Sequence, residues 1–313
     1  MRYIIDLREG DNIAEHYLCK QKQILKSRAG KSYISLKLQD KTGIIDGKVW
    51  DLGDGIHEFS DYDFIKVDAT VLLYQGEPQL NIRRIRKSSE GEYDPKDYIP
   101  STQKDINQMY EQLLAYIPTI ENPYIKKLIE SFLVEDEKFI KQFKYHSAAK
   151  NIHHSYMGGL LEHTLAVVEI CDFLSTRYEG VNRDIVIATA IFHDIGKIQE
   201  LSQFPENDYT DDGQLIGHLI MGMEMVSRKI ETISGFPSTL ASLIKHSLLS
   251  HHGELEYGSP KRPKTIEAFI LHAADNTDAK IKIIEEAISN EAKEDNWIGY
   301  QKLFNRNLRR TNF

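Results

Sequence analysis

The hydrophobic period of the chain changes once, and that change confines it to two bodies of different kind. Up to about residue 87 apolar residues recur at every second position, and beyond residue 103 they recur every three to four. A period of two sends alternate side chains to opposite faces of a strand, whereas a period near 3.6 gathers them on one helix face. In KSYISLKLQD, Ile34, Leu36 and Leu38 alternate with Tyr33, Ser35 and Lys37. DKTG makes a turn into a strand that ends at Val49 and Trp50. YDFIKVDATVLLY and QLNIRRIR are joined by the turn QGEP, and HYLCKQKQILKS precedes them all. Five short strands predict a small antiparallel Greek-key barrel.

A barrel closed by five strands over residues 1–87 is expected to be of the OB type. KSSEGEYDPKDYIPSTQ, with Gly91, Pro95 and Pro100, then reads as a polar linker over 88–103. Connecting helices are expected over 104–150 and an all-α helical bundle over 151–313. The chain of 313 residues is long enough to bury a core in each body. A run of about 18 apolar residues, as a membrane-spanning helix needs, does not occur. The N-terminal stretch is charged throughout, unlike a secretory leader, so a cytoplasmic protein without a membrane partner is expected. Cys19 and Cys171 offer no disulfide or metal framework. The net charge of −8 argues against coating duplex DNA, but is compatible with a local basic groove on an acidic body.

The unusual chemistry lies in the second half: of 12 histidines, all but His16 and His57 fall between His146 and His272. In GGLLEHTLAVVEICDFL, His163 shares a helical stripe with Leu160, Val167, Ile170 and Leu174. DIVIATAIFHDIGK is apolar on nearly all faces and predicts a buried helix, with His193 and Asp194 just before Gly196. Neighbours on a helix point about 100° apart, so this pair can converge only on something at the helix end. A metal ion meets that requirement, and a buried carboxylate needs a partner of this kind. His218 is expected on one face with Leu215, Gly222 and Met225, where Gly217 and Gly222 permit close approach. PSTLASLIKHSLLSHHGE runs from Pro237 to Gly253, with His251 on the Leu240/Ile244/Leu248 stripe and His252 in the last turn. Asp275 follows on the Ala268/Leu271 face, while His246 and His272 read as core or supporting residues. The set combines imidazoles and carboxylates without thiolate, which suits Mn²⁺, Fe or another octahedral divalent ion better than structural zinc. Its donors are about right for two ions sharing Asp194.

The order H…HD…H…HH…D resembles the HD-domain superfamily of metal-dependent phosphohydrolases over about residues 150–290. The resemblance implies His163, His193, Asp194 and Asp275 as core metal ligands, and His218 and His251 as the extra histidines of two-metal members. His252 matches a less uniform position, a further metal ligand or a substrate contact. Lys197 matches a lysine whose ammonium would meet a phosphate oxygen; its plainer reading is a solvated helix-end cation. In the barrel, Tyr33, Lys37, Lys48 and Trp50 lie opposite the aliphatic positions, and Arg83, Arg84, Arg86 and Lys87 cluster on the last strand. Aromatics interleaved with cations are what an OB groove uses to hold a single strand. Otherwise Trp50 fills a barrel end and the arginines form a solvated edge.

Taken whole, the chain is similar to the YhaM-type 3′–5′ exoribonuclease family. GKSYISLKLQDKTGIIDGKVWD, FHDIGKIQEL, LIGHLIMGMEMV and LSHHGELEYGSP carry the likeness. The resemblance implies hydrolysis of single-stranded RNA, with single-stranded DNA an open second substrate, to nucleoside 5′-monophosphates. It implies two Mn²⁺ ions bridged by Asp194, with Lys197 assisting at the phosphate. Two other readings stay open: a phosphohydrolase of a free nucleotide whose barrel serves a homo-oligomer, and a DNA-binding replication factor with a weak or inactive HD site.

Overall fold

The computed structural model describes residues 2–27, 30–150, 155–290 and 296–311. It divides into two compact units, residues 1–101 with 204–206, and residues 102–203 with 207–313.

The first unit contains β1 (Asn12–Lys26), β2 (Ser32–Asp40), β3 (Gly43–Val49), β4 (Phe64–Tyr74) and β5 (Glu77–Lys87). They close into a barrel in the order β1-β2-β3-β5-β4, the OB arrangement. One strand pair departs from the expected antiparallel pattern: β3 and β5 run parallel and supply the closure. A period of two shows which face is buried but not strand direction, so this pair was not legible in the sequence. β1 has 15 residues and a bulge between Cys19 and Gln21, which bends it so that one end pairs with β4 and the other with β2. Leu36, Leu38, Ile65, Val67 and Leu80 fill the interior. A second bulge, opposite Asp68 and Ala69, turns Arg83 and Arg84 out to solvent together. Gln75 and Gly76 both take positive φ in the tight β4–β5 turn, as a two-residue hairpin demands.

The stretch after β5, expected as a linker, lies on this barrel up to residue 101. The Tyr93 ring stacks on Phe64 at 4.1 Å, Tyr98 and Ile99 are buried, and Gln39 Nε2 donates to the Tyr98 carbonyl at 2.9 Å. Three anchors without a regular spacing give no periodic signal, and the surrounding polar residues conceal them.

The second unit is helical, with α1 (Ile106–Leu114), α2 (Pro123–Leu133), α3 (Glu137–Tyr145), α4 (Gly159–Arg177) and α5 (Arg183–Phe192). There follow α6 (Lys197–Glu200), α7 (Asp211–Leu215), α8 (His218–Thr232), α9 (Ser238–Ser250) and α10 (Ile266–Asn290). A hairpin of β6 (Trp297–Gln301) and β7 (Arg306–Arg309) ends the described chain. Asp105, Asn122, Asp136 and Asn182 cap α1, α2, α3 and α5 through side-chain oxygens. Every residue of α5 from Ile185 to Phe192 is buried, so this helix forms the axis of the bundle. Met109, Leu113, Leu128, Phe132 and Phe143 share one core with Val167, Val186, Ile244 and Leu271. Thus α1–α3 belong to the same core as the helices that carry the histidines. No helix among the described residues is long and apolar enough to cross a membrane.

Candidate metal centre

Five segments deliver the donors. His163 lies in the second turn of α4, and His193 and Asp194 sit in the turn after α5. His218 opens α8, His251 and His252 follow α9, and Asp275 projects from α10. A glycine contact brings α8 to the His193–Asp194 turn. A Cβ on Gly196 would stand 2.1 Å from the His218 carbonyl oxygen and 2.7 Å from the Gly222 nitrogen, so the two backbones touch. Gly217, at φ +80°, starts α8 afresh. His218 therefore does not share a helix face with Leu215, which lies in α7 and is 82% exposed. Gly253, also at φ +80°, turns the chain after the two histidines, placing His252 beyond α9 instead of in its last turn. A Cβ there would meet the His272 ring at 2.2 Å, and His272 Nδ1 donates to the His251 carbonyl at 2.7 Å.

We expect Gly196→Ala to force α6 and α8 apart, costing about 1–3 kcal/mol by overpacking. Thermal unfolding should show a lower Tm together with weaker Mn²⁺ uptake; an unchanged Tm would mean the contact relaxes freely.

Each histidine is held by its Nδ1. His193 donates to the Ala190 carbonyl at 2.8 Å, His251 to Leu248 at 2.8 Å and His252 to Tyr257 at 3.0 Å. His163 donates to Asp278 Oδ2 at 2.6 Å, and His218 to Glu200 Oε1 at 2.9 Å. With Nδ1 committed as donor, a neutral ring offers a lone pair at Nε2. All five Nε2 atoms converge in two groups. His163 and His193 approach each other at 3.1 Å, and their Nε2 atoms lie 3.5 and 3.4 Å from Asp194 Oδ2. Asp275 Oδ1 joins them, 3.2 Å from His163 and 4.0 Å from His193. On the other side, His218 and His251 lie 3.5 and 3.7 Å from Asp194 Oδ1, and His252 is 3.3 Å from His218. Asp194 thus turns one oxygen to each group. His163, His193 and Asp194 form one cluster able to hold an ion, and His218, His251 and His252 another.

The electrostatics favour cations. Burial opposes the Asp194 carboxylate, yet Lys197 and His193 hold its pKa well below the ordinary aspartate range. Burial likewise opposes charge on His163, but hydrogen bonds to Asp275 and Asp278 outweigh it and push its pKa up to about 9. His251 goes the other way: burial, then the neighbouring His252 and His193, keep it well below the usual histidine value. Its Nε2 is fully buried without a hydrogen-bond partner among the described residues, an orphan that a metal would satisfy. The residues present therefore fit divalent cations.

A cavity of about 560 Å³ opens over the cluster, walled by His163, Asp194, Lys197, His218, His252 and Asp275, with the exposed rings of Tyr209 and Tyr257. Lys197 Nζ donates to Asp194 Oδ2 at 2.6 Å, so it is neither a solvated cation nor clear of the donor set. Of the residues that hold the histidines, Asp278 carried a sequence signal, being three positions after Asp275 on one helix face. Glu200 carried none beyond its spacing from Lys197. His246 serves elsewhere, its Nε2 accepting from the Lys264 amide at 2.9 Å.

On the barrel, Tyr33 and Trp50 stack at 4.7 Å between ring centroids, and Lys48 Nζ donates to Ser35 Oγ at 2.5 Å. Trp50, Arg83 and Arg84 line a cleft of about 470 Å³, and Arg83 reaches Asn12 at 3.2 Å. Lys37 is exposed on β2, opposite Asp46 of β3. The rest of the basic cluster is differently engaged: Arg86 pairs with Glu92 and Lys87 with Asp63, each at 2.6 Å.

A closed barrel of OB order followed by a helical body with this donor set defines an OB-fold protein carrying an HD domain. The HD-domain family profile matches residues 160–280, which contain every donor from His163 to Asp275. The chain is 34% identical over 287 residues, 91% of its length and 87% of the relative's, to the 3′-5′ exoribonuclease YhaM of Geobacillus sp. (strain WCH70). It is 33% identical over 281 residues, 89% of its length and 88% of the relative's, to the 3′-5′ exoribonuclease YhaM of Bacillus subtilis (strain 168). The chain belongs to the YhaM family. Among solved structures, the second OB-fold domain of replication protein A from Methanococcus maripaludis aligns with 30% of this chain and all of its own, at 21% identity and a TM-score of 0.24.

Proposed function

We propose that this protein is a metal-dependent, cytoplasmic 3′–5′ exoribonuclease that trims single-stranded RNA, and single-stranded DNA as a second substrate, to nucleoside 5′-monophosphates. The observation that carries this reading is Asp194, buried between two imidazole groups with one carboxylate oxygen turned to each. Two divalent cations, Mn²⁺ by the donor chemistry, would supply Lewis acidity and water of lowered pKa. His163, His193, Asp275 and Asp194 would hold one, and His218, His251 and His252, again with Asp194, would hold the other. The Nδ1 bonds fix each ring before an ion arrives, so little ordering remains to be done. Lys197, on the cavity wall, adds a positive charge that attracts the scissile phosphate. Tyr209 and Tyr257 offer ring faces to the terminal bases, a contact that every base can make. Release of labelled mononucleotide from 3′-labelled RNA with Mn²⁺, and none with EDTA, is the test. Intact RNA alongside hydrolysed free nucleotide would overturn the reading.

The barrel acts as the strand holder. The Tyr33–Trp50 stack continues as a base platform, with Lys37, Lys48, Arg83 and Arg84 tracking phosphates. Replacing Trp50 by Ala should weaken RNA binding by about 1–3 kcal/mol for the base it stacks. Neutralising Arg83 and Arg84 together should lower the slope of log K against log salt by about 1–2. Fluorescence anisotropy across a salt series measures both, and unchanged binding in both variants would assign the barrel to assembly.

A further inference from the structure

Resting on the two-ion reading, we infer that the half-sites are unequal. The one built on His163, His193 and Asp275 fills first, and Glu200 governs only the second, built on His218, His251 and His252. The asymmetry lies in the carboxylates. Around Asp194 Oδ2 stand Asp275 as a direct donor and Asp278 behind His163 at 2.6 Å. Around Asp194 Oδ1 the other donors are three imidazoles, and the carboxylate behind them is Glu200, 2.9 Å from His218 Nδ1. Lys197 opposes the first half-site through its bond to Oδ2 at 2.6 Å. With Lys197 set against Asp275 and Asp278 the two sides carry the same formal charge, so what distinguishes the first is the Asp275 carboxylate oxygen offered directly beside its imidazoles. A hard divalent cation prefers the oxygen-rich side.

Glu200 does more than orient one ring. Its Oε1 also accepts from the His218 backbone amide at 3.0 Å, so it ties α6 to the first residue of α8. That bond fixes ring and backbone of the same ligand where the Gly196 and Gly222 backbones meet. Among the described residues its hydrogen bonds go to His218 and not to His163, His193 or Asp275, and its charge is felt on the first side only through Lys197. Carboxylates placed behind metal-binding histidines typically govern affinity by about 10–100-fold. Glu200 and Asp278 are therefore positioning residues, each for its own half-site.

Calorimetric titration of Mn²⁺ into the metal-free full chain, followed by electron paramagnetic resonance, tests this. Wild type should show two events at least about 10-fold apart, the spectrum changing from isolated to spin-coupled Mn²⁺ between one and two equivalents. Glu200→Gln, which keeps an acceptor oxygen but removes the charge, should weaken only the second event, by about 10–100-fold. Its spectrum should stay uncoupled at two equivalents. Asp278→Asn should weaken the first event instead. Circular dichroism and Tm confirm that each variant is folded, and Glu200→Ala with the same selective loss would support the assignment independently. Equal affinities in wild type, or a first event weakened by Glu200→Gln, would overturn the inference while leaving two ions bound. A wild-type stoichiometry of one would remove the two-ion reading and this inference with it.

Discussion

Asp194→Asn lowers turnover on RNA by about a thousand-fold or more, a rise of about 4 kcal/mol in the barrier, while RNA affinity stays near wild type. The amide has almost the volume of the carboxylate, so the turn at the end of α5 keeps its packing. What it loses is the charge that faces both imidazole groups, at 3.4 to 3.7 Å from the Nε2 atoms of His163, His193, His218 and His251. An amide presents one neutral oxygen and an NH₂ group that repels a cation, so it cannot serve two half-sites. Lys197 also loses its hydrogen-bonded carboxylate, leaving the half-buried ammonium to the charges of Asp275 and Glu200, which costs stability. A lower Tm is thus expected with the fold retained. RNA affinity is expected to survive on the proposal that the strand is held through the barrel residues Trp50, Arg83 and Arg84. Steady-state cleavage at saturating Mn²⁺, with anisotropy on the same preparation, separates the two effects. Near-normal turnover would remove Asp194 from the shared position.

The contrast between Asp194 and its supports shows what a sequence can carry. His163, His193, Asp194, His218, His251 and Asp275 were legible because each falls on an apolar helical stripe or next to a breaking glycine. A polar residue in such a place is costly without a purpose. Glu200 was not legible, since its role depends on where the turn after α5 places α6 against α8. That placement rests on two glycines whose backbones touch, a tertiary fact with no periodic trace. The same holds in the barrel. Alternation marked the inward faces of β2 and β4, but the parallel β3–β5 closure follows from strand order. It also could not distinguish the four cations of the last strand. The bulge and two ion pairs do that, leaving Arg83 and Arg84 facing solvent beside Trp50 while Arg86 and Lys87 are occupied.

RNA carrying a 5′ label and a single-stranded 3′ tail should shorten as a descending ladder that stalls at a stable hairpin, whereas 3′-labelled RNA should release labelled mononucleotide at once. The polarity follows from membership of the YhaM family; the strand requirement follows from the site. His193 and His251 are wholly buried, and the cavity above them is about 560 Å³, a size that takes one small ligand at a time. A phosphodiester reaches the donor atoms only as part of an unpaired end. Opening each pair of a duplex costs on the order of 1–2 kcal/mol. If about three pairs must open together, the rate at the stem falls by about a thousand-fold. The barrel gives no relief, because a stack such as Tyr33 on Trp50 continues onto bases that are already exposed. Lengthening the tail should therefore speed the approach to the stem without moving the stop, and weakening the stem with mismatches should move it. Mononucleotide released first from the 5′ end, cutting of a circular RNA, or passage through the stem at the single-strand rate would each contradict a site that admits one free end.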